Sequence, residues 1–109
     1  LVEQTREAAA PDDLITQLKW RAVGARTLAR LGHTDRAQPL AHQAVHLAEQ
    51  TDALEAHGEA LLDLAEVLRR AGRPGDAAQA VQQAARLFQH KGNRPAAKQA
   101  AAMLRDLEG

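Results

Sequence analysis

A forty-residue echo constrains this chain more than any single residue in it. Leu28, Arg30, Gly32, Ala37, Gln43, Ala44 and Leu47 recur as Leu68, Arg70, Gly72, Ala77, Gln83, Ala84 and Leu87. Asp12 and Leu14 recur as Asp52 and Leu54, while Ala56, Ala60 and Leu64 recur as Ala96, Ala100 and Leu104. A fixed period in this range marks stacked supersecondary units, none of which can bury its apolar face alone.

The units read as helix pairs. Twenty-five alanines, many leucines and a single Phe suit helices packed closely through small side chains. Ala, Leu, Gln, Glu and Arg lose little conformational freedom in a helix, and strand formers are scarce. The fold class is therefore all-α. Pro11-Asp12-Asp13 opens a helix from about Asp13 to Leu31, and Gly32 fits the left-handed residue that closes it. Thr34 is expected to cap a second helix reaching Gln50, with Pro39 causing a kink or a late start. Asp52 and Glu55 have capping-box spacing for a third helix, which Gly72 ends. Pro74 suits the first turn of a fourth, Gly92 ends that one, and Asn93 with Pro95 opens a last helix to about Leu107.

Apolar spacing supports these elements. Ala60, Leu61, Leu64, Ala65 and Leu68 form one stripe, with Glu59, Asp63, Glu66 and Arg70 largely opposite. Ala77, Val81, Ala84, Ala85 and Phe88 form another, and short turns force neighbouring helices antiparallel. The chain divides into a tail of a preceding helix at 1–10, one unit at 13–50, a second at 52–91, and a capping helix or start of a third at 94–107. Leu1 to Ala10 carries no helix start signal, and no initiator Met precedes it. The expectation is a piece excised from a larger protein.

Gly72-Arg73-Pro74-Gly75-Asp76-Ala77-Ala78 followed by Ala84, and preceded by Leu61, Leu64-Ala65 and Leu68, resembles a tetratricopeptide repeat. Ala25, Leu28, Gly32, Ala37 and Ala44 carry the same pattern one unit earlier. The resemblance implies a right-handed stack of antiparallel helical hairpins, a fragment of an α-solenoid. Its period is forty rather than thirty-four, as in the repeat arrays of large bacterial transcription regulators. Gly24 stands where the motif places Leu, and Trp20 is expected to fill that gap. The phrase from Asp63 to Gly72 is also similar to C-terminal repeat regions of actinobacterial signalling proteins.

In that family the first helix of each unit lines a concave groove. The resemblance thereby makes Lys19, Arg26 and Arg30 from one unit, and Glu59, Leu62, Glu66, Arg69 and Arg70 from the next, a candidate peptide-binding set. Arginine forks there suit a carboxylate or an acidic peptide. The bland alternative is that Glu66 and Arg70 merely pair along their helix.

Other chemistry is thinly represented. His42 and His46 have the i, i+4 spacing at which two imidazoles meet one metal. Gln43 stands where a zincin would need Glu, so a solvated stripe is the better reading. His33, His57 and His90 read as surface residues. The hydroxyl side chains are all Thr, with no Ser, Cys or Tyr, and no glycine-rich loop has Walker spacing. No catalysis, resident metal or cofactor is expected.

Fourteen basic residues balance fourteen acidic ones, which argues against nucleic acid as a partner. No apolar run approaches the roughly 18 residues that span a bilayer. Absence of Cys makes the cytoplasm the default compartment. The Arg-over-Lys bias suggests a GC-rich bacterium. The expected function is protein–protein recognition or scaffolding within a larger bacterial regulatory or signalling protein. The partner would be a protein or peptide, or neighbouring domains of the parent. One alternative is a homodimer formed by stacking apolar ends, through Val2 and Ala8–Ala10 or through Met103, Leu104 and Leu107. Another is an effector-sensing groove.

Overall fold

The computed structural model describes residues 11–108, and all of its regular structure is helical. The helices are α1 (Pro11–Arg30), α2 (Thr34–Glu49), α3 (Leu54–Arg70), α4 (Pro74–Lys91) and α5 (Arg94–Glu108). The expected preceding-helix tail at 1–10, with Val2 and Ala8–Ala10, lies outside the described residues.

Three of the four turns are built alike. Gly32, Gly72 and Gly92 adopt φ of 88°, 78° and 81°, a region that costs a side chain about 1 kcal/mol or more. Each permits a paired closure of the helix before it. His33 N–H donates to the Leu28 carbonyl at 2.8 Å, Arg73 N–H to Leu68 at 2.9 Å and Asn93 N–H to Phe88 at 2.9 Å. These long-reaching bonds satisfy carbonyls that the helix end leaves open.

The other helix boundaries correct several expectations. Thr34 is the first helical residue of α2 rather than its cap; His33 holds the cap position, with no side-chain capping bond. That helix runs from Thr34 through Pro39 with no late start. The Asp52–Glu55 capping box does not form, since Ala53 occupies the cap of α3. Thr51 does this work instead. Its hydroxyl donates to the Ala48 carbonyl at 2.9 Å and accepts from Ala53 N–H at 3.2 Å, joining one helix end to the next start. Glu55 accepts a bond from Asn93 Nδ2 at 3.1 Å. Asn93 does cap α5, its Oδ1 accepting from Ala96 N–H, and Pro74 opens α4.

Each helix packs against its chain neighbour, and α3 packs on α1 as well as on α2 and α4. Residues one period apart share surroundings: Ala25 and Ala65, Ala37 and Ala77, and Ala44 and Ala84 are all buried. The main core joins Leu61, Leu64, Val67, Leu68, Val81 and Phe88 to alanines of α1 and α2. A smaller cluster of Leu18, Ala22, Ala44, Ala48 and Ala60 ties the first hairpin to α3. Met103, Leu104 and Leu107 pack half-buried against the main core, so α5 turns its apolar stripe inward instead of presenting an open end. Trp20 does not fill the space beside Gly24; it is exposed, and Leu40 is the side chain near Gly24.

Candidate functional site

α5 packs on α4 but stands off from α3, and the gap is a cleft of about 520 Å³. Arg26 and Arg30 of α1 enter it from one side, where i, i+4 spacing stacks them on one helix face. Leu62, Asp63, Glu66 and Arg69 of α3 line its floor, and Met103, Asp106 and Leu107 of α5 close the far wall. Five of the eight residues singled out from sequence thus meet here: Arg26, Arg30, Leu62, Glu66 and Arg69. Lys19 and Glu59 line a smaller hollow of about 210 Å³ farther along the α1–α3 seam. Arg70 borders neither and lies 3.5 Å from the Glu66 carboxylate.

The charges differ in how far they are already occupied. Glu66 is held in a two-pronged grip, with Arg69 Nε donating at 2.8 Å and Nη2 at 2.9 Å. Arg70 approaches the same carboxylate, so the pairing along the helix foreseen as the bland alternative does form. Arg26 Nε lies 3.2 Å from Asp63 Oδ1, yet it is buried and not aligned as a hydrogen bond. That contact is Coulombic and leaves the guanidinium's remaining donors uncommitted. Arg30 makes no ion pair within 4 Å among the described residues and reaches Asp63 only through its longer-range field.

Asp63 is the residue that sequence reasoning passed over as a site member. Burial pushes its carboxyl up to about 6; Arg26 draws it down, Glu59 raises it further and Arg30 lowers it. The pair Arg26–Asp63 borders both the cleft and the smaller hollow, so it forms the partition between them. A signal was present in the echo, because the counterpart of Asp63 one unit earlier is apolar Val23. An ionisable group at a position that is apolar in its sister unit marks a departure from simple packing. The α5 wall carried no such signal, since its approach to the groove depends on how α5 docks.

The histidines resolve differently from one another. His42 and His46 are exposed, and His46 Nδ1 lies 3.7 Å from the Glu49 carboxylate. Among the described residues no three His, Cys, Asp or Glu side chains gather as metal ligands. His33 and His90 are exposed, but His57 is half-buried with a covered Nε2 that finds no partner, contrary to its surface expectation. No described helix is long and apolar enough to cross a membrane.

The cleft can therefore offer a mixed surface: apolar Leu62, Met103 and Leu107 beside one uncommitted guanidinium and one partly committed. Comparison with protein families, with curated proteins and with solved structures finds no match for this chain.

Proposed function

We propose that this chain is a protein–protein interaction module, built as a right-handed stack of tetratricopeptide-like hairpins, that receives a peptide segment in the α1–α3–α5 cleft. Its setting is a larger cytoplasmic regulatory or signalling protein of a bacterium, and its work is recognition rather than turnover. The observation carrying this reading is the convergence of Arg26 and Arg30 from one unit with Leu62 and Arg69 from the next, facing an α5 wall in which Met103 and Leu107 stand beside Asp106. A guanidinium with open donors favours a carboxylate, and its planar fork fixes orientation as well as charge. Leu62, Met103 and Leu107 would take an adjacent apolar side chain, supplying the area that a lone ion pair lacks.

The test is a titration of isotope-labelled protein with short acidic, neutral and basic peptides carrying Leu or Phe. Acidic peptides should shift amide signals around Arg30, Leu62 and Met103, and Arg30→Glu should weaken them by about 10-fold or more. Equal response to basic peptides, or binding indifferent to Arg30→Glu, would refute the reading. The cleft's volume also lies in the range of small-molecule sites. Thermal stabilisation by free dicarboxylates with no response to peptides would favour effector sensing instead.

A further inference from the structure

Asp63 is out of keeping with its own repeat position. Its counterparts one period before and after are Val23 and Met103, so an ionisable group replaces an apolar one in the middle unit. Its side chain is 20% exposed and lies 3.2 Å from Arg26 Nε. That nitrogen is buried and finds no hydrogen-bond partner. Asp63 therefore gives up much of its hydration without a directed bond from Arg26 in return.

Placement adds to this. Asp63 and Arg26 form the partition between the cleft and the smaller hollow, so a ligand in the cleft meets both. The cleft's charges are Arg26, Arg30 and Arg69 against Asp63, Glu66 and Asp106, three of each sign. Glu66 and Arg69 already satisfy one another. With Asp63 ionised, Arg26 and Arg30 are balanced by Asp63 and by Asp106 on the α5 wall, and an acidic ligand meets no net attraction. With Asp63 neutral, one positive charge is left over and the Arg26 fork is released. Lys19 and Glu59, which border the smaller hollow beside Asp63, are again one of each sign. Neither α2 nor α4 brings a charged side chain to either hollow, and no histidine lines them.

We propose that Asp63 is the proton-bearing member of the ligand site, so that the cleft takes up a carboxylate together with a proton. The Asp63 carboxyl donates its hydrogen to the ligand carboxylate, which the Arg26 and Arg30 guanidiniums hold at the same time. A hydrogen bond between an acid and a carboxylate is of the short, charge-assisted kind. The proton comes from solvent and stays on Asp63, and no other covalent bond forms or breaks. This coupling rests on the cleft being the peptide site proposed above. Burial has already raised the Asp63 carboxyl to about 6, so the proton is available in mildly acidic solution. An arriving carboxylate draws Arg26 away and adds a negative charge, and both changes hold the proton more tightly.

Affinity for an acidic ligand should therefore be greatest below about pH 6 and fall as pH rises through that value. About three-quarters of the chains carry the proton at pH 5.5 and about 3% at pH 7.5, and apparent affinity follows that fraction. The test is a titration of the full chain with end-capped acidic peptides carrying Leu, whose carboxylates are ionised at both pH values. Their dissociation constant should rise by about 10-fold or more between pH 5.5 and 7.5. Asp63→Asn, neutral throughout, should remove that rise. In the unaltered chain, saturating peptide should raise the midpoint of the Asp63 carboxyl carbon signal by about one pH unit or more, because the coupling is reciprocal. Binding at neither pH removes the peptide site, and the coupling falls with it. Equal binding at both values, with the Asp63 midpoint unmoved by peptide, overturns the coupling alone and leaves the peptide site standing. A pH dependence that survives Asp63→Asn also overturns it, by assigning the proton to a histidine outside the cleft.

Discussion

The two hairpins carry one pattern but fill it differently. In the first, Leu18 of α1 and Ala48 of α2 are the buried pair; one period on, the same positions hold Gly58 of α3 and Phe88 of α4. Bulk has moved from the first helix of the pair to the second. The exchange is obligatory at Gly58, where a β-carbon would lie 2.6 Å from Phe88 Cζ. Close packing thus constrains the volume of each layer more tightly than the identity of either contributor. The second hairpin is also covered on both sides, by the first hairpin and by α5, while the first leaves the stripe of Trp20 and Val23 open. Repetition in sequence does not produce repetition in coverage: among the described residues one hairpin has neighbours on both sides and the other on one.

That contrast can be broken from several directions. Phe88→Ala should have the largest effect, a loss of about 3–5 kcal/mol in chemical denaturation, because the ring is buried and Gly58 cannot fill the void. Leu18→Ala, in the smaller alanine-rich cluster, should cost less, about 2–3 kcal/mol. If the order reversed, the first hairpin would be the better packed of the two. Gly58→Ala should destabilise by about 1–3 kcal/mol through overpacking. Combined with Phe88→Leu it should recover part of that loss, which a double-mutant cycle would read.

Asp63 supplies a pH test of the same asymmetry, since its counterpart Val23 cannot titrate. Its carboxyl is raised from 3.8 to about 6 in the folded chain. The folded state therefore holds this proton more tightly than the unfolded state does. The group's penalty is absent below about pH 4, grows as pH rises from 4 to 6, and is complete above 6. Asp63→Asn should flatten stability across that window. The difference from the parent protein should be on the order of 1–3 kcal/mol, reduced by loss of the Arg26 contact. An unchanged pH profile would show that Asp63 ionises without cost. The smallest effect belongs to Arg69→Ala, at most about 0.5 kcal/mol, because its pair with Glu66 is exposed and local.

The groove was legible as far as the repeat was legible. Arg26, Arg30, Leu62, Glu66 and Arg69 meet because helical spacing placed each pair on one face, and the period placed the two faces side by side. Lys19 and Glu59 fall one hollow away, and Arg70 is taken up by Glu66, distinctions of a few ångströms that spacing alone cannot make. The caps failed for a related reason. Thr34, Asp52 and Glu55 are all competent capping residues, but several candidates stood within one turn. The chain's path between α2 and α3 gave the role to Thr51.

Amino-acid order alone determined the helices, the three glycine-closed turns and the forty-residue beat of buried alanines. Each of these follows from local sterics or from the 3.6-residue repeat, which needs no knowledge of distant parts. Tertiary structure decided that α5 stands away from α3, that Asp63 is half-buried beside Arg26, and that Trp20 faces water. Those outcomes depend on which neighbour covers which face. Coverage is a property of assembled surfaces, and the same stripe that is core on α3 is exposed on α1 only because nothing among the described residues lies over it.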